Sequence, residues 1–359
     1  MPRTSKSISF KRENIYVGID THLKNWTVTI LTENNFHKKY SQDPSPKILY
    51  NYLHKNFPDA TYYSAYEASF CGFHIHRKLL DFGIKNIVVN PADVPTTDKE
   101  KRQKEDARDS RKLAMTLRSG ELKGIYIPSK ESEELRSLVR YRRTLVKDIS
   151  RGKNRVKSNL YFHGIEIPPE NQQASKYWSN KFTNWLRSIN HTTEYGTAVL
   201  QYLIDTNLEL RKRLLTVTNE IRKAAKNDKY SNLVRFLTSI PGIGIIAAMT
   251  IISELETLSR FKNFDRLASY VGLVPTTHSS GDKNISGKIS PRANLILRNV
   301  LIESAWIASR IDPALSLAYN NLCKRMKPSK AIIRIAKKLL NRVKYVMNNE
   351  EEYVCSVIS

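Results

Sequence analysis

Up to Pro128 the sequence alternates strand-type and helix-type segments, and beyond it the strand-type pattern stops. That change limits the chain to an α/β domain followed by helical regions. Residues 15–19 (Ile-Tyr-Val-Gly-Ile) read as a short buried strand, and residues 26–31 (Trp-Thr-Val-Thr-Ile-Leu) as a β-rich alternating one. Helical spacing over 45–56 leads into a third β-type run at 61–66. A helix over 73–82 precedes a strand at 86–90, closed by Pro91. A polar stretch at 95–104 then leads to a helix over 106–119 and a short strand at 125–127, stopped by Pro128. The plan is one sheet covered by helices.

From 131 to 162 a single helical pattern carries Leu138, Leu145, Ile149, Val156 and Leu160 along one stripe. Residues 164–180, with Pro168-Pro169 and Gln172-Gln173, interrupt it. Between 197 and 226 the apolar spacing alternates three and four through Leu200, Leu203, Asn207, Leu210, Leu214, Val217, Ile221 and Ala224. That spacing predicts a coiled coil, with Asn207 as a polar residue fixing register. The two helices suit an antiparallel hairpin that also supports dimerisation. Residues 239–244 (Ser-Ile-Pro-Gly-Ile-Gly), followed by an apolar helix, have the form of a helix-hairpin-helix. There Gly242 and Gly244 would let the backbone approach a nucleic-acid phosphate. The same glycines also suit an ordinary tight turn between core helices. The expected divisions are 1–128, 129–230 and 231–359.

Charge narrows the partner. The chain of 359 residues has 59 Lys and Arg against 34 Asp and Glu, a net charge of +25. An excess of that size points to a polyanion, of which nucleic acid is the commonest. Nine basic residues fall between 136 and 157 against one acid, Asp148, and fourteen between 283 and 344 against Glu303 and Asp312. The expected nucleic-acid contacts are Arg140, Arg143, Lys147, Arg151, Lys153, Arg155 and Lys157 in the first stretch. In the second they are Lys283, Lys288, Arg292 and Arg298. No apolar run is long enough for a membrane span, and nothing near the N-terminus reads as a secretory signal. Three separated cysteines, Cys71, Cys323 and Cys355, fit a reducing cytosol rather than a disulfide framework or a zinc cluster.

Four carboxylates carry the candidate chemistry. Asp20 and Glu67 close two of the expected strands, where α/β folds open their functional crevice. Asp106 and Asp109, three residues apart, project from one face of a helix start. Each has a structural alternative, as a cap or in a surface ion pair. Together, in a basic chain, they make an oxygen-donor set suited to two hard divalent cations. Magnesium is the natural ion and manganese the alternative, and the chemistry would be phosphodiester cleavage.

In order, Gly18-Ile19-Asp20, Tyr66-Glu67-Ala68-Ser69, Val89-Asn90-Pro91 and Asp106-Ala107-Arg108-Asp109 resemble the N-terminal motifs of DEDD-type insertion-sequence transposases. Ile240 to Gly244, Phe264 to Gly272, Leu273-Val274-Pro275, Ser279-Ser280-Gly281 and the stretch from Ile289 to Arg298 resemble the C-terminal half of the same family. The resemblance covers roughly residues 14–310. It implies an RNase H/RuvC-like domain, a coiled-coil linker and a mainly α C-terminal transposase domain with a helix-hairpin-helix. It further implies a recombinase guided by the element's own bridge RNA, which pairs with donor and target DNA, working as a dimer or tetramer. Asp20, Glu67, Asp106 and Asp109 match the family's metal ligands. Ser280 matches the serine implied to form a covalent phosphoserine link, with Ser279 adjacent and His278 nearby. Taken alone, Ser279-Ser280-Gly281 is only a loop signature. Ser110 and Ala293 stand where the family often has alanine and usually has glycine. The rival readings are a metal-dependent resolvase without a covalent link, and a non-catalytic RNA- or DNA-binding protein.

Overall fold

The computed structural model describes residues 9–94, 106–171, 178–280, 283–289 and 293–355; for 106–108, 275–280 and 283–289 it describes the backbone alone. Two compact units follow one another, Met1–Ile127 and Pro128–Ser359. The stretches expected to form a linker and a C-terminal domain lie together in the second.

In the first unit, strands β1 (Asn14–Thr21), β2 (Trp26–Leu31) and β3 (Phe36–Gln42) form an antiparallel meander. Helix α1 (Pro46–Asn56) leads to β4 (Thr61–Glu67), which runs parallel to β1. Helix α2 (His74–Asp81) leads to β5 (Lys85–Val89), parallel to β4. The order is β3-β2-β1-β4-β5, and α3 (Asp106–Arg118) follows. This mixed sheet agrees with the α/β plan and with an RNase H-like domain. Two corrections apply. Strand β3 was not expected, because Phe-His-Lys-Lys-Tyr-Ser-Gln is an edge strand exposed over its first four residues, and only Tyr40 and Gln42 turn toward the protein. Residues 125–127 form no strand; Ile125 gives one backbone bond to the Val88 carbonyl (2.7 Å) and packs on the core.

Side-chain alternation gives the sheet two unlike faces. Ile15, Val17 and Ile19 of β1 meet Val28, Ile30, Tyr62, Tyr66 and Val88, and Leu49, Leu53, Ile75 and Leu79 of α1 and α2 close over them. The opposite face is small where α3 lies on it. A Cβ at Gly18 would strike the Ser110 carbonyl, so the glycine sets how closely α3 approaches. Thr29, opposite Gly18, shares a buried 3.0 Å hydrogen bond with the Ser110 hydroxyl.

The second unit opens with α4 (Lys130–Phe162), capped by Ser129, whose hydroxyl accepts from the Ser132 amide. Helix α5 (Asn180–Ser188) and α6 (Glu194–Ala224) follow. Helices α4 and α6 pack antiparallel within the chain. Asn207 donates to the Ile149 carbonyl (3.0 Å) and Arg142 to the Thr218 hydroxyl (2.9 Å), while Leu160 lies in a cluster with Leu200. The buried side of α6 is Leu200, Ile204, Asn207, Val217, Thr218 and Ile221. It differs from the expected seam because Leu203, Leu210 and Leu214 fall at its margin.

Helices α7 (Asp228–Thr238), α8 (Ile245–Leu255), α9 (Phe264–Val271), α10 (Leu295–Ile311), α11 (Pro313–Cys323) and α12 (Pro328–Asn349) share one large core with the near ends of α4 and α6. Between α9 and α10 lies an antiparallel pair, β6 (Pro275–Ser280) and β7 (Lys283–Ile289). The expectation that strands end at Pro128 is corrected here. The pair is short and rich in Ser, Thr, Asn and Lys, so no apolar alternation advertises it. Among the described residues no helix is long and apolar enough to cross a membrane.

Candidate functional site

The ladder between β1 and β4 pairs Gly18 with Ala65 and Ile19 with Tyr66. One rung further it sets Asp20 beside Glu67, the last residue of β4. By alternation both lie on the face that α3 covers, two residues beyond Gly18 and Ala65. The direction of α3 follows from its contacts. Arg118 at its C-terminus donates to the Thr32 carbonyl (3.3 Å), just past the end of β2 that pairs with the start of β1. Ser110 lies over Gly18, so α3 runs opposite to β1 and its first turn, Asp106 to Asp109, points to the edge where β1 and β4 end. Three chain segments thus bring Asp20, Glu67 and Asp109 to one end of the sheet. The backbone of Asp106 is in the same turn, and its side chain lies outside the described residues.

Asp20 is mostly buried, its side chain 20% exposed, and Oδ2 stands 3.3 Å from Nε2 of His22. Sequence reasoning missed His22. The signal was a histidine two residues beyond the strand-end aspartate, on the same side of the chain. Among the described residues no three His, Cys, Asp or Glu side chains stand close enough to hold a metal between them. The donors fit a hard divalent cation by their chemistry, since carboxylate oxygens are what such ions take together with phosphate oxygens.

In the second unit the basic stretch 136–157 divides into two populations. Arg140 grips the fully buried Glu254 with Nε at 2.7 Å and Nη2 at 2.8 Å. Arg136 flanks the same carboxylate at 3.8 Å and donates from Nε to the Ser253 carbonyl. Asn294 donates to Glu254 Oε2 at 2.8 Å. Burial alone would raise the Glu254 carboxyl, but these hydrogen bonds and the two guanidiniums hold it below its ordinary value near 4.5. Arg143 reaches the amide oxygen of Asn299 (2.6 Å). Arg140, expected among the nucleic-acid contacts, is half exposed and commits Nε and Nη2 of its guanidinium to Glu254. Lys147, Arg151 and Arg155 are exposed, and Arg151 meets only the neighbouring Asp148 (3.0 Å) among its described ion pairs. Lys153 lies 5.7 Å over the Trp178 ring, its ammonium pushed down by burial and by Arg211 and Lys157.

The hairpin 239–244 also divides. Gly242 sits at φ +88°, and a Cβ there would strike the Ser304 carbonyl of α10. Its small size serves close packing within the protein. Gly244, just before α8, faces open space. Ser279 and Ser280 close β6, with Ser280 paired to Lys283 of β7. Gly281 and Arg292 lie outside the described residues, as do the side chains of His278, Ser279, Ser280, Lys283 and Lys288. Arg298 lies on the first turns of α10.

Residues 17–164 match the DEDD transposase family of the IS110 type, and residues 234–320 match the transposase IS116/IS110/IS902 family. A putative transposase, y4rJ, of Sinorhizobium fredii is 31% identical over 76% of this chain and 74% of its own length. Another from that organism, y4qE, is 28% identical over 68% of this chain; the match spans 58% of the relative's length. The transposase for insertion sequence element IS1111A of Coxiella burnetii is 23% identical over 79% and 76%. The chain belongs to the IS110 family of insertion-sequence transposases.

Proposed function

We propose that the chain is an RNA-guided DNA recombinase that breaks and rejoins strands through a covalent phosphoserine link. The observation that carries this reading is the convergence of Asp20, Glu67 and the first turn of α3 on one edge of the sheet in a transposase of this family. Asp20, Glu67, Asp106 and Asp109 would hold magnesium, probed equally by manganese. Two such ions supply Lewis-acid stabilisation of charge on phosphate oxygens. Ser280 Oγ attacks the scissile phosphorus and gives up its proton. The bond from phosphorus to the departing strand's oxygen breaks, and that strand leaves with a hydroxyl. One phosphodiester replaces another, so the reverse attack by a strand hydroxyl rejoins DNA without ATP. A serine is a poor nucleophile unless its surroundings activate it, and a position beside Gly281 leaves a phosphate room to approach. The guide RNA, with donor and target DNA, would occupy the exposed cations, and a homodimer or homotetramer would pair two DNA sites.

The test combines substitution with sequencing of RNA that co-purifies with the full chain. Ser280→Ala should abolish strand exchange and the covalent adduct, and Asp20→Ala or Glu67→Ala should abolish all cleavage. Persisting metal-dependent nicking by Ser280→Ala would identify a hydrolytic resolvase instead. Unchanged exchange after RNA removal would exclude guidance.

A further inference from the structure

Helices α9, α11 and α12, with Leu273, line an open cavity of about 690 Å³ that the proposed chemistry does not use. Its floor is apolar: Phe264, Leu273, Ala314 and Leu315. Its wall is one face of α12, where Arg334, Lys337, Lys338 and Arg342 follow at helical spacing. Two of these cations are engaged within the protein. Arg342 pairs with the fully buried Asp312 (2.7 Å), and Lys337 meets Asp265 (3.3 Å) while lying 5.6 Å over the Phe264 ring. Arg334 and Lys338 are exposed, and neither has an acidic partner among the described residues. Residues 334–342 also lie outside the stretches matched to the transposase families.

We infer that this cavity takes one unstacked nucleotide of a single-stranded nucleic acid. Its base would lie on the floor at Phe264, and its phosphates would meet Arg334 and Lys338. An aromatic and aliphatic floor suits the flat face of a base whatever its identity, since every base has a π-face. Two uncompensated cations beside that floor suit the phosphates that flank it. The volume lies in the range of pockets that enclose a small ligand. A base within a duplex offers only its edge, because both of its faces are stacked; a paired strand cannot enter. The pocket rests on the nucleic-acid part of the proposed function and is independent of the cleavage chemistry.

The test is a titration of the full chain, freed of co-purified nucleic acid, with labelled single-stranded DNA, single-stranded RNA and blunt duplex DNA of equal length. Ala314→Trp, which sets an indole on the apolar floor, should weaken binding of both single strands about tenfold and leave duplex binding within about twofold. Arg334→Gln with Lys338→Gln should also reduce the salt slope for single strands by about 1.4, two phosphates at about 0.7 each. A thermal melt checks that each variant is folded; if Ala314→Trp is not, the salt slope of the charge variant decides. Single-strand binding unchanged in these variants, or duplex binding lost in parallel, would overturn the inference. Strand exchange by the parent chain, assayed alongside, separates the two proposals. Pocket-dependent binding without exchange would fail the recombinase reading alone, and exchange without it would fail the pocket alone.

Discussion

Gly18 and Glu254 show how single residues hold the two units in shape. Any side chain at Gly18 would drive into the backbone of α3 at Ser110. Gly18→Val should cost about 1–3 kcal/mol by overpacking, read as a lower denaturant midpoint. The same displacement would shift Asp109 relative to Asp20, so strand exchange should fall further than stability predicts. Glu254 has its pKa lowered on folding, so its contribution is present above the ordinary value near 4.5 and is lost as pH falls below it. Acidification from roughly pH 5 to pH 3 should lower the parent's melting temperature, and Glu254→Gln should flatten that part of the profile. A profile of equal slope in both proteins would show that Glu254 is not the group responsible. Arg140→Gln leaves Glu254 buried with weaker compensation and should cost about 3 kcal/mol.

At the scale of elements, the α4–α6 hairpin is two hydrophobic clusters in series. Near the main core, Leu135, Val139, Leu145, Val217 and Ile221 belong to the large cluster. At the far end Val156, Leu160, Phe182, Leu186, Leu200 and Ile204 form their own. Asn207 lies between them, bonded to the Ile149 carbonyl. The far cluster should therefore open independently of the rest. Leu160→Ala should cost about 2–5 kcal/mol in that segment. By hydrogen exchange, the lost protection should be confined to residues near 156–163 and 180–207, with α8 and α10 unchanged. A uniform loss across the second unit would show that the clusters act as one.

Across the molecule, a charge of +25 overstates the surface available to nucleic acid, because part of it is engaged in internal pairs. Binding to duplex DNA should weaken steeply with salt. Replacing Lys147, Arg151 and Arg155 by Gln should lower the log–log slope by up to about 2.7, at about 0.9 per phosphate. Arg140→Gln should leave the slope unchanged and reduce stability. Equal slopes for the triple variant and the parent would remove the exposed α4 cations from the interface.

What the sequence determined by itself was whatever local periodicity and ordered motifs encode. That covers the strands with a buried face, the long helices, the carboxylates at strand ends and the family to which they belong. Strand β3 and the β6–β7 pair escaped because their sequences are rich in polar residues and show no apolar alternation. Only the tertiary structure decided which cations are free. Arg140 and Lys147 are indistinguishable in a basic run, yet one meets a buried carboxylate more than a hundred residues away and the other meets solvent. Gly242 and Gly244 divide in the same way, one against α10 and the other in open space. A side chain's charge and size are local properties, whereas its partner is fixed by which distant element the fold lays against it.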